Sequence, residues 1–157
     1  MITLEQYYMG RDITHPVELT EALRGNANDL LYRVNRFLFC AAKDGIYPSI
    51  DEVTHNYVSS GWRPLGVNAR TQNAAANSRH IVCQAIDLQD DPVGRTLARW
   101  CVKHANAEMA ACGLYMENPQ WTPDWVHLQS VPPASRKRIF IPSLSPPLAM
   151  PLQEQLT

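Results

Sequence analysis

At 157 residues, with a net charge of −1 and acids and bases interspersed, the chain has the size of one domain and lacks the basic footprint of a nucleic-acid binder. Its longest apolar run, Phe37–Ala42, is far too short to span a bilayer. The opening Met1-Ile-Thr-Leu-Glu-Gln6 lacks the basic and apolar regions of an export signal, so no membrane insertion is expected and a cytoplasmic location is. The four cysteines, at 40, 83, 101 and 112, show no C-x-x-C spacing and read as buried reduced thiols.

Residues 1 to 13, with Tyr7 and Tyr8, read as an irregular arm on the domain surface. Pro16 as a first helical position and Gly25 just past an end bracket a short helix over Val17–Arg24. From Ala27 to Lys43, Leu30, Leu31, Val34, Phe37, Leu38 and Ala41 recur at three- and four-residue steps, which predicts a long core-packing helix capped by Asn26 or Asn28 and ended by Gly45. Arg33 and Arg36 fall on its solvated side. After the turn at Tyr47-Pro48-Ser49, Asn56–Ser60 has strand composition, and Gly61 stops it. Residues 64 to 77 suit a short helix and a loop lining a cleft, and Ile81–Leu88 is strand-forming in part. Asp91-Pro92 starts and Gly113 ends a second long helix, Val93–Cys112, with Trp100 packed on the sheet. Leu114–Glu117 and Trp125–Gln129 form a hairpin around the turn Asn118–Pro123, and Ile139–Ile141 adds an edge strand. Six of the twelve prolines lie after Val131, so residues 1–131 read as the domain and 132–157 as a Pro-rich tail. Strands and helices are partly segregated, which predicts an α+β fold with a small, mainly antiparallel sheet and packed helices.

The stretch Asn77–Asp90 puts an imidazole, His80, seven residues before a carboxylate, Asp87. On a regular strand residues seven apart face opposite ways, so for both to reach one ion the backbone must turn, bulge or change strand between them. Trp121–Gln129 supplies a second imidazole, His127, with Asp124 three residues before it. Two histidines and an aspartate would leave a zinc ion an open fourth position, where catalysis takes place. A lone histidine is more often a hydrogen-bonded structural residue, and that reading stands for His15, His55 and His104. His104 with Cys101 has no second pair and reads as helix packing.

Ser78-x-His80 followed by Ala85-x-Asp87, with Asp124-x-x-His127, resembles the paired S-x-H-x-x-G-x-A-x-D and [D/E]-x-x-H motifs of the zinc D-Ala-D-Ala metallopeptidases. These include peptidoglycan D-alanyl-D-alanine carboxypeptidases, D-Ala-D-Ala dipeptidases and phage L-alanyl-D-glutamate endolysins. Val58-Ser-Ser-Gly-Trp-Arg-Pro64, continued by Val67-Asn68, is similar to the same family's strand and G-[Y/W]-R turn. The resemblance runs from about Val58 to Gln129 and implies a Hedgehog/D-Ala-D-Ala peptidase-like fold. It also implies Zn2+ held by His80, Asp87 and His127, Asp124 as general base, Arg63 as the guanidinium facing the oxyanion or a substrate carboxylate, and Ser78 on the substrate backbone. Cys83 departs from the motif, standing where the family has glycine; its side chain is expected in the core, at the cost of local distortion.

The implied activity is hydrolysis of peptidoglycan stem peptides by a monomer. The lack of an export signal favours an endolysin-type L-Ala-D-Glu endopeptidase, kept in the cytoplasm of a phage-infected cell until release or carried in the virion, over a D-Ala-D-Ala carboxypeptidase. The alternative is a non-catalytic virion or binding module that keeps the fold and metal site.

Overall fold

The computed structural model describes residues 1–142, so most of the Pro-rich tail lies outside the described residues. The elements in order are α1 (Leu4–Tyr8), α2 (Arg11–Thr14), α3 (Glu21–Lys43), β1 (Val58–Ser60), α4 (Leu65–Arg70), β2 (Ala85–Gln89), α5 (Thr96–Lys103), a π-helical turn (Ala105–Met109), β3 (Tyr115–Glu117), β4 (Trp125–Gln129) and β5 (Ile139–Phe140). The strands form one five-stranded sheet in the order β1-β2-β4-β3-β5. Every pair is antiparallel except β3 with β5. The fold is therefore α+β with a mostly antiparallel sheet, and β5 carries that sheet beyond residue 131. No helix among the described residues is long and apolar enough to cross a membrane.

The first residues are not a surface arm. Thr3 and Gln6 close a capping box that starts α1, and Tyr7 and Tyr8 are buried in the core. Asn35 of α3 holds the arm down by a reciprocal pair of bonds to the Ile2 backbone, at 2.7 and 2.9 Å. The helix expected over Val17–Arg24 also differs. Pro16 lies in a turn, and α3 begins at Glu21 under a Thr20 side-chain cap and runs straight through Gly25. An interior helical glycine costs only about 1 kcal/mol, and α3 buries Ala27, Leu30, Leu31, Val34, Phe37 and Ala41 along one face, which outweighs it. Asn26, expected as a cap, instead donates to the Val82 carbonyl at 2.9 Å. Gly45 does follow the helix, at φ +74°.

One continuous core joins the α3 face to Ile86 and Leu88 of β2, Met116 of β3, Val126 and Leu128 of β4, and Leu97 and Cys101 of α5. On β3 and β4 the core residues Met116 and Leu128 face each other across the strands, so the residues flanking them share the opposite face. The four cysteines are free, and only Cys40 is not buried.

The second long helix starts later than expected, while Gly113 follows its end at φ +66°, as the sequence predicts. Asp91 caps a turn over Val93 and Gly94, and α5 begins only at Thr96. Buried Asp90 accepts from Leu97 N and Ala98 N, both at 3.0 Å, and so ties the end of β2 to the start of α5. An Asp90→Ala variant is expected to lose about 2 kcal/mol or more, since the two freed N–H groups stay buried, read as a lower urea midpoint with an unchanged slope. After His104 the helix widens into the π-turn, where Met109 N bonds the His104 carbonyl at 3.1 Å. Trp100 is buried against α3 and the end of α5. Its ring stacks on His104 at 4.2 Å between centroids and meets Phe37 of α3 at 5.1 Å, and its Nε1 donates to Asp44 at 2.7 Å.

Candidate metal centre

Asp87 and His127 are partners across the β2–β4 pairing, so their side chains leave the sheet on the same face, and Ser60 of β1 pairs with Asp87 on its other side. His80 reaches them because the chain turns before β2. Residues 79–83 form a tight turn closed by Gln84 N to the Arg79 carbonyl at 2.9 Å, and Cys83 takes the left-handed conformation at φ +56°. This is the reversal that a seven-residue spacing requires. Glycine is the residue that adopts this φ without strain, so a side chain at position 83 is held there at a cost. Cys83 accepts the conformation and buries its sulfur completely, beside Tyr7; burial pushes its thiol up to about 12, so it stays protonated.

The three side chains can place ligand atoms within 4.8 Å of one another, and no other such group of His, Cys, Asp or Glu occurs among the described residues. His80 Nδ1 donates to the Gly61 carbonyl at 2.8 Å, which leaves Nε2 unprotonated and directed at Asp87 Oδ2, 3.3 Å away. An outer hydrogen bond of this kind fixes the tautomer and orientation of a ligating histidine. His127 Nδ1 faces Asp87 Oδ1 at 2.7 Å, and Arg63 donates to Asp87 Oδ2 at 2.9 Å. Arg63 is itself held by Ser60, whose Oγ accepts from Nε at 2.7 Å. His80 and Asp87 are buried, whereas the side chains of His127 and Arg63 each keep 12 % of their surface, so the cluster opens to solvent on their side.

Charge is distributed unevenly across the group. Burial would raise the Asp87 carboxyl, but its contacts with His80 and His127 outweigh burial and hold it far below the usual carboxylate range. Burial lowers His80 more than Asp87 raises it, so His80 is neutral. At His127 burial also lowers, but the bond and charge of Asp87 prevail and the ring is raised. The shared proton therefore sits between His127 and Asp87, where a divalent cation would replace it. A buried set of two imidazoles and one carboxylate, with one imidazole preset by an outer hydrogen bond, could hold a metal ion. Its mix of nitrogen and oxygen donors suits borderline first-row cations better than Ca2+ or Mg2+.

Ser78 lies beside this group through the backbone, its Oγ accepting from His80 N at 3.3 Å, which leaves its own O–H free to donate. Asp124 is not brought to the cluster. It sits exposed in the turn before β4, outside the group of side chains that could hold an ion. The carboxylate that does share the face carrying His127 is Glu117, at the end of β3. Burial raises its carboxyl, His127 opposes that shift and Asp87 adds to it. Sequence reasoning passed over Glu117 because a single acid closing a short apolar run carries no motif; the pairing of β3 with β4 is what singles it out. Compared with protein-family models, with curated proteins and with solved structures, the chain finds no match in any of the three.

Proposed function

We propose that the chain is a zinc-dependent peptidase that hydrolyses peptidoglycan stem peptides, in the manner of the zinc D-Ala-D-Ala metallopeptidases its motifs resemble. The observation that carries the reading is the convergence of His80, Asp87 and His127 into one group, with a guanidinium, Arg63, held against it at 2.9 Å. Zinc bound there would polarise the scissile carbonyl and lower the pKa of its water to about 7. Arg63, on the solvent side, would meet the oxyanion or a substrate carboxylate, an interaction worth several kcal/mol in a water-poor cleft. The Ser78 hydroxyl donates to the substrate backbone. Asp124 takes the proton of the attacking water and passes it to the leaving amine, which requires the turn before β4 to bring it inward over bound substrate. Its exposure in the unliganded turn is what favours the second reading, a binding module that retains fold and metal without turnover.

Metal analysis of the purified protein followed by digestion of peptidoglycan tests the proposal. Stoichiometric zinc and newly exposed D-Glu amino termini are expected, marking cleavage between L-Ala and D-Glu. Release of free D-Ala alone would make the enzyme a carboxypeptidase, and zinc uptake without any cleavage would leave the binding module. Asp124→Ala should keep zinc and fold while losing about a hundredfold or more in turnover; unchanged turnover would reassign the base.

A further inference from the structure

A second concentration of charge lies apart from the metal group. A cavity of about 340 Å³ is lined by Arg95, Ala98, Arg99 and Val102 at α5 and by Pro119 and Gln120 of the turn between β3 and β4. Through Leu97 and Cys101, α5 packs on the core side of the sheet with Val126 and Leu128, whereas Asp87 and His127 leave the other side, so this cavity is not the metal centre. Arg95 and Arg99 stand one helical turn apart, with Arg99 N bonded to the Arg95 carbonyl at 2.9 Å. Like charges at this spacing repel and weaken a helix. No acid answers them: neither guanidinium makes an ion pair among the described residues. The neighbouring carboxylates of Asp90 and Asp91 are taken up by the backbone N–H groups of Leu97 and Ala98 and of Val93 and Gly94.

Arg95 is also fixed in place. Its backbone takes a left-handed φ of +50°, unfavourable for a residue with a side chain, and its Nη2 donates to the Pro119 and Thr122 carbonyls at 3.0 and 2.7 Å. Two bonds to one loop set the plane of the guanidinium, so little freedom is left to lose on binding. Its Nε is buried without an acceptor among the described residues, a rare and costly state for a cationic donor.

We infer that this cavity is a binding site for an oxyanion, as a carboxylate or a phosphate, carried on a small apolar body. Arg95 Nη1 and the Arg99 guanidinium donate to its oxygens, while Ala98, Val102 and Pro119 cover the apolar part. Forked guanidinium donors match carboxylate and phosphate alike, and small-molecule sites start at roughly 300 Å³. The inference needs neither the metal nor peptidase activity.

The test is titration of the full chain with inorganic phosphate, with isobutyrate and with its neutral analogue isobutyramide, at an ionic strength held constant with chloride, followed by proton–nitrogen NMR of the backbone and the arginine Nε–H groups. At least one of the two anions is expected to move the signals of Arg95, Arg99 and Gln120 to saturation, and the one that binds more tightly identifies the source of the oxyanion. Isobutyramide should move them little. Arg99→Gln should bind that anion about tenfold or more weakly, the contribution of one hydrogen bond to a charged group, with an unchanged melting temperature because no ion pair is lost. Arg70→Gln, which removes an exposed cation that does not line the cavity, should bind as the wild type. Shifts that never saturate with either anion, an equal response to isobutyramide, undiminished affinity in Arg99→Gln, or the same loss in Arg70→Gln would each overturn the assignment.

Discussion

Alanine in place of His80, Asp87 or His127 is expected to abolish stoichiometric metal binding, and with it any hydrolysis of peptidoglycan peptides. The loss should exceed the roughly 10- to 100-fold that follows removal of an outer partner, because a three-ligand site has no redundancy. The fold should respond differently at each position. Without Asp87 the Arg63 guanidinium loses its ion pair at 2.9 Å and His127 its acceptor at 2.7 Å, so both are left partly buried and unpaired. Breaking a buried pair of this kind costs about 3–5 kcal/mol. His127→Ala removes the more exposed imidazole and should leave the metal-free protein closer to wild type. Inductively coupled plasma analysis of zinc beside thermal melts of the metal-free proteins separates the two effects. Full zinc occupancy in His80→Ala would end the assignment. Because both imidazoles must be neutral to bind, apparent affinity should also fall as the pH drops through the histidine range, where metal uptake releases the proton that His127 carries.

Gly61→Ala is expected to be among the most destabilising single-methyl additions in the chain. The reason is space: a Cβ at Gly61 would overlap the backbone carbonyl of Tyr7. Backbone cannot step aside as a flexible side chain can, and α1 is anchored on both sides, by Tyr7 Oη on the Ala85 carbonyl at 3.1 Å and by Asn35 on Ile2. Overpacking typically costs about 1–3 kcal/mol, and at roughly 2–4 °C per kcal/mol for a protein of this size the melting temperature should drop by about 2–12 °C. The same substitution pushes on the carbonyl that fixes His80 Nδ1 at 2.8 Å, so zinc affinity should fall with stability. A Gly61→Ala protein that melts with the wild type would mean that α1 is not seated against β1 as described.

Several features could be read from the residues alone because they depend on local spacing. The period of Leu30, Leu31, Val34 and Phe37 predicts the core face of α3, and Gly45 and Gly113 sit just past helical segments, both at positive φ. The strand composition at Val58, Ala85, Tyr115, Trp125 and Ile139 marks all five strands. The ligand trio was legible because its residues belong to recognisable spacings, and Cys83 because glycine is the usual residue where φ must be positive. Start points were harder. Pro16 and Gly25 looked like brackets, yet Thr20 captures Leu23 N at 3.4 Å and the buried face of α3 carries the helix through the glycine. The π-turn after His104 was hidden too, since it accompanies a contact of His104 with Glu108 at 2.8 Å and a stack on Trp100 rather than any break in apolar periodicity.

What the sequence by itself determined is which side chains could hold a metal ion and which faces must be buried, because both follow from residue type and a spacing of a few positions. Only the tertiary structure decided which partners those side chains meet. Strand register places Asp87 beside His127 and, one strand further, Glu117 on the same face, while Asp124 stays exposed in the turn before β4. The seat of α1 makes Gly61 a point of backbone contact and draws Tyr7 inside. Pairing between strand residues 12 to 44 positions apart is set by which of their faces can share one core, a property of the whole chain that no window of neighbouring residues contains.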